Sequence, residues 1–174
     1  MADTDLWETD ILAWSEQQAE ALRELAARRD LPNALDLGHV VEDIEDAGQR
    51  ESNEVKSFIR LVLGHAVKCL ADPKALSVRH WHAEIGNWQS ELADRVTPSM
   101  RRRIDLDILW RRAVRQAELD LPEQESDAAV IAKIRALRDK PCPVSIGDIL
   151  ADPAEPATLV LRMGQALGEA GGVS

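Results

Sequence analysis

The chain is predicted to be all-α: a helical bundle of four main helices around one long helix, with shorter C-terminal helices. Three observations lead there. Apolar residues recur at steps of three and four along most of the 174 residues, the period of a helix face. No segment shows the apolar–polar alternation expected of a half-buried strand. Alanine, leucine, glutamate and arginine, all strong helix formers, are abundant throughout.

The first helix is expected to begin near Asp5, with Asp5 as cap and Glu8 answering three residues later. Its seam reads Trp7, Ile11, Trp14, Gln18, Ala21 and Leu25, and Pro32 ends it or opens the next turn. The second helix carries the longest pattern. From Leu37 the seam continues through Val41, Ile44, Gly48, Glu51, Val55, Phe58, Val62, His65 and Cys69 without a break. Such a run marks a helix about 50 Å long, packed at a shallow angle, and Asp72-Pro73 closes it. The third helix holds Trp81, Ile85, Trp88 and Leu92 on one face, up to Thr97. "TPSM" then reads as a cap with Pro98 in the first helical position. The fourth helix sets Leu106, Leu109, Trp110, Ala113 and Ala117 inward, with Arg101, Arg111, Arg112 and Arg115 largely opposite. "DLPEQESD" is a polar connection to a shorter fifth helix in "AAVIAKIRALRDK". A proline-rich stretch follows, with one turn of helix at Ser145–Leu150, then a final helix in "ATLVLRMGQALG" and a glycine-rich end. Residues 1–140 are taken as the bundle domain, and 141–174 as a segment packed on it or trailing it.

Composition narrows the function. The net charge of −10 argues against a nucleic-acid binder and against an anionic membrane surface. Charge is uneven: residues 1–60 hold 15 acids and 6 bases, a net of −9, whereas residues 61–121 hold 8 acids and 10 bases, a net of +2. The two cysteines, Cys69 and Cys142, have no metal-ligand spacing, which suits a reducing cytosol, and the acidic N-terminus "MADTDLWETD" is no signal peptide. A cytoplasmic protein is therefore expected. The apolar run "SFIRLVLGHAVKCL" is interrupted by Arg60, His65 and Lys68 and cannot span a bilayer.

Three places could carry chemistry. "VVEDIEDAGQR" sets Glu42, Asp43, Glu45 and Asp46 within five positions. Glu42 and Glu45, three apart, have the spacing that bundle metal sites use, and His39 precedes them at the same step. A solvated acidic turn near a helix start is the simpler reading. His65 lies on the apolar seam, about 30 Å along the helix from Glu45, so it needs partners from another helix. It is read first as a hydrogen-bonded core histidine, with Lys68 snorkelling or pairing with an acid. His80 and His82 flank Trp81 but point apart on a helix, so they do not chelate. Ile104 and Ile108 lie among the arginines of the fourth helix, which hints at a partner surface. Glycine-rich phosphate loops, H-E-x-x-H and C-x-x-C motifs are missing, and no cofactor can be assigned.

Taken together, "LWETDILAW" (6–14), "LDLGHVVEDIEDAGQRE" (35–51), "LGHAVK" (63–68), "HWHAEI" (80–85) and "CPVSIGDIL" (142–150) resemble, in their order, the bacterial domain-of-unknown-function family twenty-nine, over about residues 5–152. The resemblance implies an all-α fold and no established activity. It maps an aspartate–tryptophan pattern to Asp10 and Trp14, an acidic motif to Glu42, Asp43 and Glu45, and an H-x-x-K to His65 and Lys68. Trp7, Ile11 and Leu12 stand where the family usually has aromatics, and His80 replaces a usual serine. His39 and the helix after residue 156 lie outside the pattern.

The candidate functional residues are therefore Asp10, Trp14, Glu42, Glu45, His65 and Lys68. The favoured expectation is a non-enzymatic protein-interaction module that binds another protein or its own copies. The alternative is a metal-dependent enzyme, such as a hydrolase, using Glu42 and Glu45 with Asp10. A short loop at 30–36 would make the first two helices antiparallel and set Asp10 remote from Glu42, which disfavours that alternative.

Overall fold

The computed structural model describes residues 6–28, 32, 35–120 and 128–168. Among them the chain is all-α, with nine helices and no strand. They are α1 (Leu6–Thr9), α2 (Ile11–Ala26), α3 (Leu37–Ala71), α4 (Val78–Arg95), α5 (Pro98–Arg103), α6 (Leu106–Leu119), α7 (Ala128–Arg135), α8 (Ile146–Ile149) and α9 (Pro156–Ala166). The four anticipated main helices are α2, α3, α4 and α6. The chain divides into two compact units, residues 1–55 with 96–104, and residues 56–95 with 105–174. The boundary expected at residue 140 falls within the second.

In the first unit the start of the opening helix differs from expectation. Asp5 lies outside the described residues. The cap is Asp10, whose carboxylate accepts from Ala13 N at 3.2 Å and separates α1 from α2. That break also shifts the seam. Leu12, Ser15 and Ala19 are the buried positions of α2, each one residue beyond Ile11, Trp14 and Gln18, which are only half-buried. A small residue is needed at position 15 because α3 comes close there. A Cβ at Gly48 would stand 2.0 Å from Ser15 Oγ and 2.9 Å from Ser15 Cβ. Gly48 thus holds its place on the seam by having no side chain.

α5 begins as its sequence predicts, with Thr97 as N-cap, its hydroxyl accepting from Met100 N at 3.4 Å, and Pro98 in the first turn. It does not run on into α6. Ile104 is extended, and Asp105 opens a new helix by accepting from Ile108 N at 3.0 Å. Arg101 therefore belongs to α5, apart from the arginines of α6.

The second unit is built on the C-terminal half of α3, where Ile59, Val62, Leu63, Ala66 and Val67 are all fully buried. These positions recur at steps of three and four, one broad apolar face turned to the core, while Arg60 and Leu61 stay exposed. Around them lie Ile85 and Leu92 of α4, Trp110, Ala113 and Val114 of α6, Ile134 of α7, Ile149 of α8, and Leu159 and Met163 of α9, all at or near full burial. Lys133 donates to Ala71 O at 3.1 Å, satisfying a carbonyl at the end of α3. Ser145 and Asp148 form a reciprocal capping box at α8. Gln89, fully buried, donates to Ile149 O at 3.2 Å and ties α8 to α4. α9 packs on α4, where a Cβ at Gly86 would meet Pro156 Cγ at 3.4 Å.

Candidate functional site

Each anticipated site residue has a definite place, and the six do not converge. In the first unit, Asp10 is buried and its carboxylate is saturated. Besides capping α2, it accepts from Ser99 N at 2.9 Å and from the Ser99 hydroxyl. Burial pulls the Asp10 carboxyl upward, but the donors from Ser99, Ala13 and Thr97 outweigh it and leave the group below its ordinary value. Asp10 is thus a staple between the start of α2 and the start of α5. Trp14 is half-buried and meets Trp7 edge-on, ring centroids 4.4 Å apart. Trp7 itself is 58% exposed.

The acidic run splits in two. Glu45 turns toward α2 and pairs with Arg23 at 2.6 Å. Glu42, Asp43 and Asp46 are exposed and make no hydrogen bond or ion pair among the described residues. His39 pairs with Asp36 at 2.6 Å, and that contact raises its pKa. Among the described residues no three His, Cys, Asp or Glu side chains are gathered so that they could hold a metal ion. Asp10, Glu42 and Glu45 therefore do not form the shared centre of the metal-enzyme alternative.

His65 and Lys68 lie together in the second unit, along a cleft of about 260 Å³ lined by Arg60, Leu61, Gly64, Gln116, Ala117 and Asp120 as well. His65 Nε2 is 2.8 Å from Glu84 of α4, its Nδ1 is 3.1 Å from Leu61 O, and its ring meets Trp88 edge-on at 4.8 Å. His80 reaches the same Glu84 oxygen at 3.3 Å. Both acceptors face the ring, so a charged imidazole satisfies both and a neutral one satisfies only one. Burial and the charge of Lys68 oppose protonation and win, holding His65 below its ordinary value.

The unfolded chain takes up the proton more readily, so this contribution to stability is complete above about 6.5 and is lost as pH falls through and below that value. Urea unfolding at about pH 7.5 and about pH 5.5 should differ more for the wild type than for His65→Gln. Equal differences would contradict the assignment.

Lys68 donates to Asp120 at 2.6 Å, and Gln116 steadies the same carboxylate at 2.7 Å. Burial raises the Asp120 carboxyl, but these two donors outweigh it and leave the pKa lowered. The lysine side chain is only 10% exposed and Asp120 38%, so the lysine is the partner that cannot recover solvation. Asp120→Ala should therefore cost about 1–2 kcal/mol, and Lys68→Met less, because an apolar stem can fill the lysine's place. Denaturant melts of the two variants check the order; a larger loss for Lys68→Met would refute it.

Sequence reasoning placed His65 and Lys68 on one helix face, but it missed their partners Glu84 and Asp120, and Ser99 beside Asp10. One signal was available for Ser99. "TPSM" marks a helix start, and first-turn N–H groups need an acceptor. Cys69 is buried and its thiol is pushed up to about 11, so it is no nucleophile.

Comparison with known proteins agrees on the fold. The chain is similar to a crystal structure of an alpha-helical protein of unknown function from Rhodospirillum rubrum ATCC 11170. The two share 32% identity with a TM-score of 0.72, over 90% of this chain and 96% of that one. No curated protein matches the chain. The model of the family described as Domain of unknown function DUF29 matches residues 6–152, which takes in every motif above, and the chain belongs to that family.

Proposed function

We propose that this protein is an acidic interaction module that binds a basic protein partner through the outer face of α3 in the first unit. One observation carries the reading: Glu42, Asp43 and Asp46 are exposed without ion-pair partners among the described residues, beside Val40, which is 40% exposed. Carboxylates spent on the fold, such as Asp10 and Glu45, are held by donors within the first unit. The three free ones are left to act outward. Residues 1–60 carry a net charge of −9, which would steer a basic partner toward this face and make its association depend on salt. An exposed apolar residue beside the charges supplies an anchor.

Affinity capture from the source cell's lysate tests this, with wild type and the triple variant Glu42→Arg, Asp43→Arg, Asp46→Arg compared at low and high salt. A basic protein should be retained by the wild type at low salt and lost both with the variant and at high salt. Identical retention by the variant would overturn the reading. Sedimentation of the protein alone shows whether the partner is a second copy of this chain.

A further inference from the structure

We propose that a second site, independent of the acidic face, lies on the second unit: an arginine-lined cleft that binds the phosphate of a small phosphomonoester. The cleft encloses about 450 Å³ and is lined by Arg111, Arg115, Glu118 and Leu119 of α6 together with Arg138, just beyond α7. Arg111 and Arg115 stand one turn apart on the same helix face. Both are exposed, and neither makes a hydrogen bond or ion pair among the described residues. In a chain of net charge −10, two guanidinium groups face one cleft whose lining acid, Glu118, is taken up by Arg135 and Arg138.

The third arginine is held in place. Glu118, its side chain only 10% exposed, accepts from Arg135 Nε at 2.7 Å and from the Arg138 guanidinium. Those two bonds hold the Glu118 carboxyl below its ordinary value, so it stays charged and keeps Arg138 fixed. Counting Arg111, Arg115 and Arg138 against Glu118, the cleft lining keeps a net of +2. A fixed guanidinium loses less freedom on binding an oxyanion than a mobile one.

The ligand class follows from charge and size. Several arginines suit a dianion whose three oxygens can be shared among forks, which a phosphomonoester provides near neutral pH and a single carboxylate does not. The volume lies in the range of small-molecule sites and leaves room for more than the phosphate. Leu119, 69% exposed, forms an apolar wall for the remainder of the molecule.

Calorimetric titration of the full chain at constant ionic strength tests the proposal, with phenyl phosphate, inorganic phosphate and benzoate as probes. Phenyl phosphate should bind saturably and most tightly, inorganic phosphate more weakly, and benzoate weakest. Arg111→Gln and Arg115→Gln should each weaken phenyl phosphate by about tenfold. Arg112→Gln, exposed on the same helix but outside the cleft lining, should change nothing. Both substituted lining arginines are exposed, so the variants should melt as the wild type does without ligand. No saturable binding, equal loss in Arg112→Gln, or benzoate as tight as phenyl phosphate would each overturn the assignment.

Discussion

Gly48→Ala should destabilise the protein by about 2–3 kcal/mol, although alanine is favoured over glycine inside a helix by about 1 kcal/mol. Position 48 lies in the middle of α3, where glycine is the weakest helix former after proline. Its presence is explained by the neighbour. The added methyl would stand 2.0 Å from Ser15 Oγ and 2.9 Å from Ser15 Cβ, with Ile11 O at 3.4 Å. Rotating the serine hydroxyl relieves the first contact but not the second, so α2 must shift away from α3. The expected loss is therefore the overpacking cost less the gain in propensity. Ser15→Gly removes both offending atoms, and the double variant Gly48→Ala, Ser15→Gly should recover most of the loss. Urea unfolding of the two single variants and the double one checks this. If Gly48→Ala proves neutral or stabilising, the close approach of the two helices is wrong.

Asp10→Ala should cost about 3 kcal/mol, from loss of a helix cap and from stranding donors at Ser99. The cap alone is worth about 1 kcal/mol. The remainder arises because Ser99 is buried, so its N–H and hydroxyl cannot turn to water once the carboxylate is gone. Asp10→Asn keeps an acceptor for one donor but turns an amide N–H toward another, and should fall between alanine and wild type. A pH signature accompanies the loss. The folded-state pKa of Asp10 lies below its ordinary value of 3.8, so its contribution is present above that value and disappears as pH falls through the lower, folded one. Wild type should lose stability more steeply than Asp10→Asn across that acid window. Parallel curves would show that Asp10 makes no such bonds.

Much of the fold was legible because helices announce themselves by period. The seam from Leu37 to Cys69 marked α3, observed as Leu37–Ala71 and closed at Asp72-Pro73. Thr97 and Pro98 marked the start of α5 by cap chemistry alone. The errors came where a side chain's hydrogen bonding, which period does not show, decides the structure. Asp10 fell inside the expected first helix because period does not mark it as the cap that accepts from Ala13 N, and its other partner, Ser99, lies 89 positions away. Asp105 divided one expected helix into α5 and α6 by a local cap. Partner choice was the least legible feature. Glu42 and Glu45, three residues apart, share a helix side by period, yet Arg23 of α2 takes one and leaves the other outward. Likewise Lys68 was expected to snorkel or pair, and only the C-terminal cap position of α6 decides for Asp120.

On the proposed reading, the acids at the start of α3 form an outward partner surface rather than a metal centre. A thermal melt of chelator-treated protein across magnesium, calcium, manganese and zinc tests that claim most directly, since an ion bound only by the folded state raises the melting temperature by mass action. The account predicts that no ion raises it selectively at low concentration, and that Glu42→Gln, Glu45→Gln responds to every ion as the wild type does. A selective rise at low metal concentration, abolished in that double variant, would contradict it and make these carboxylates ligands.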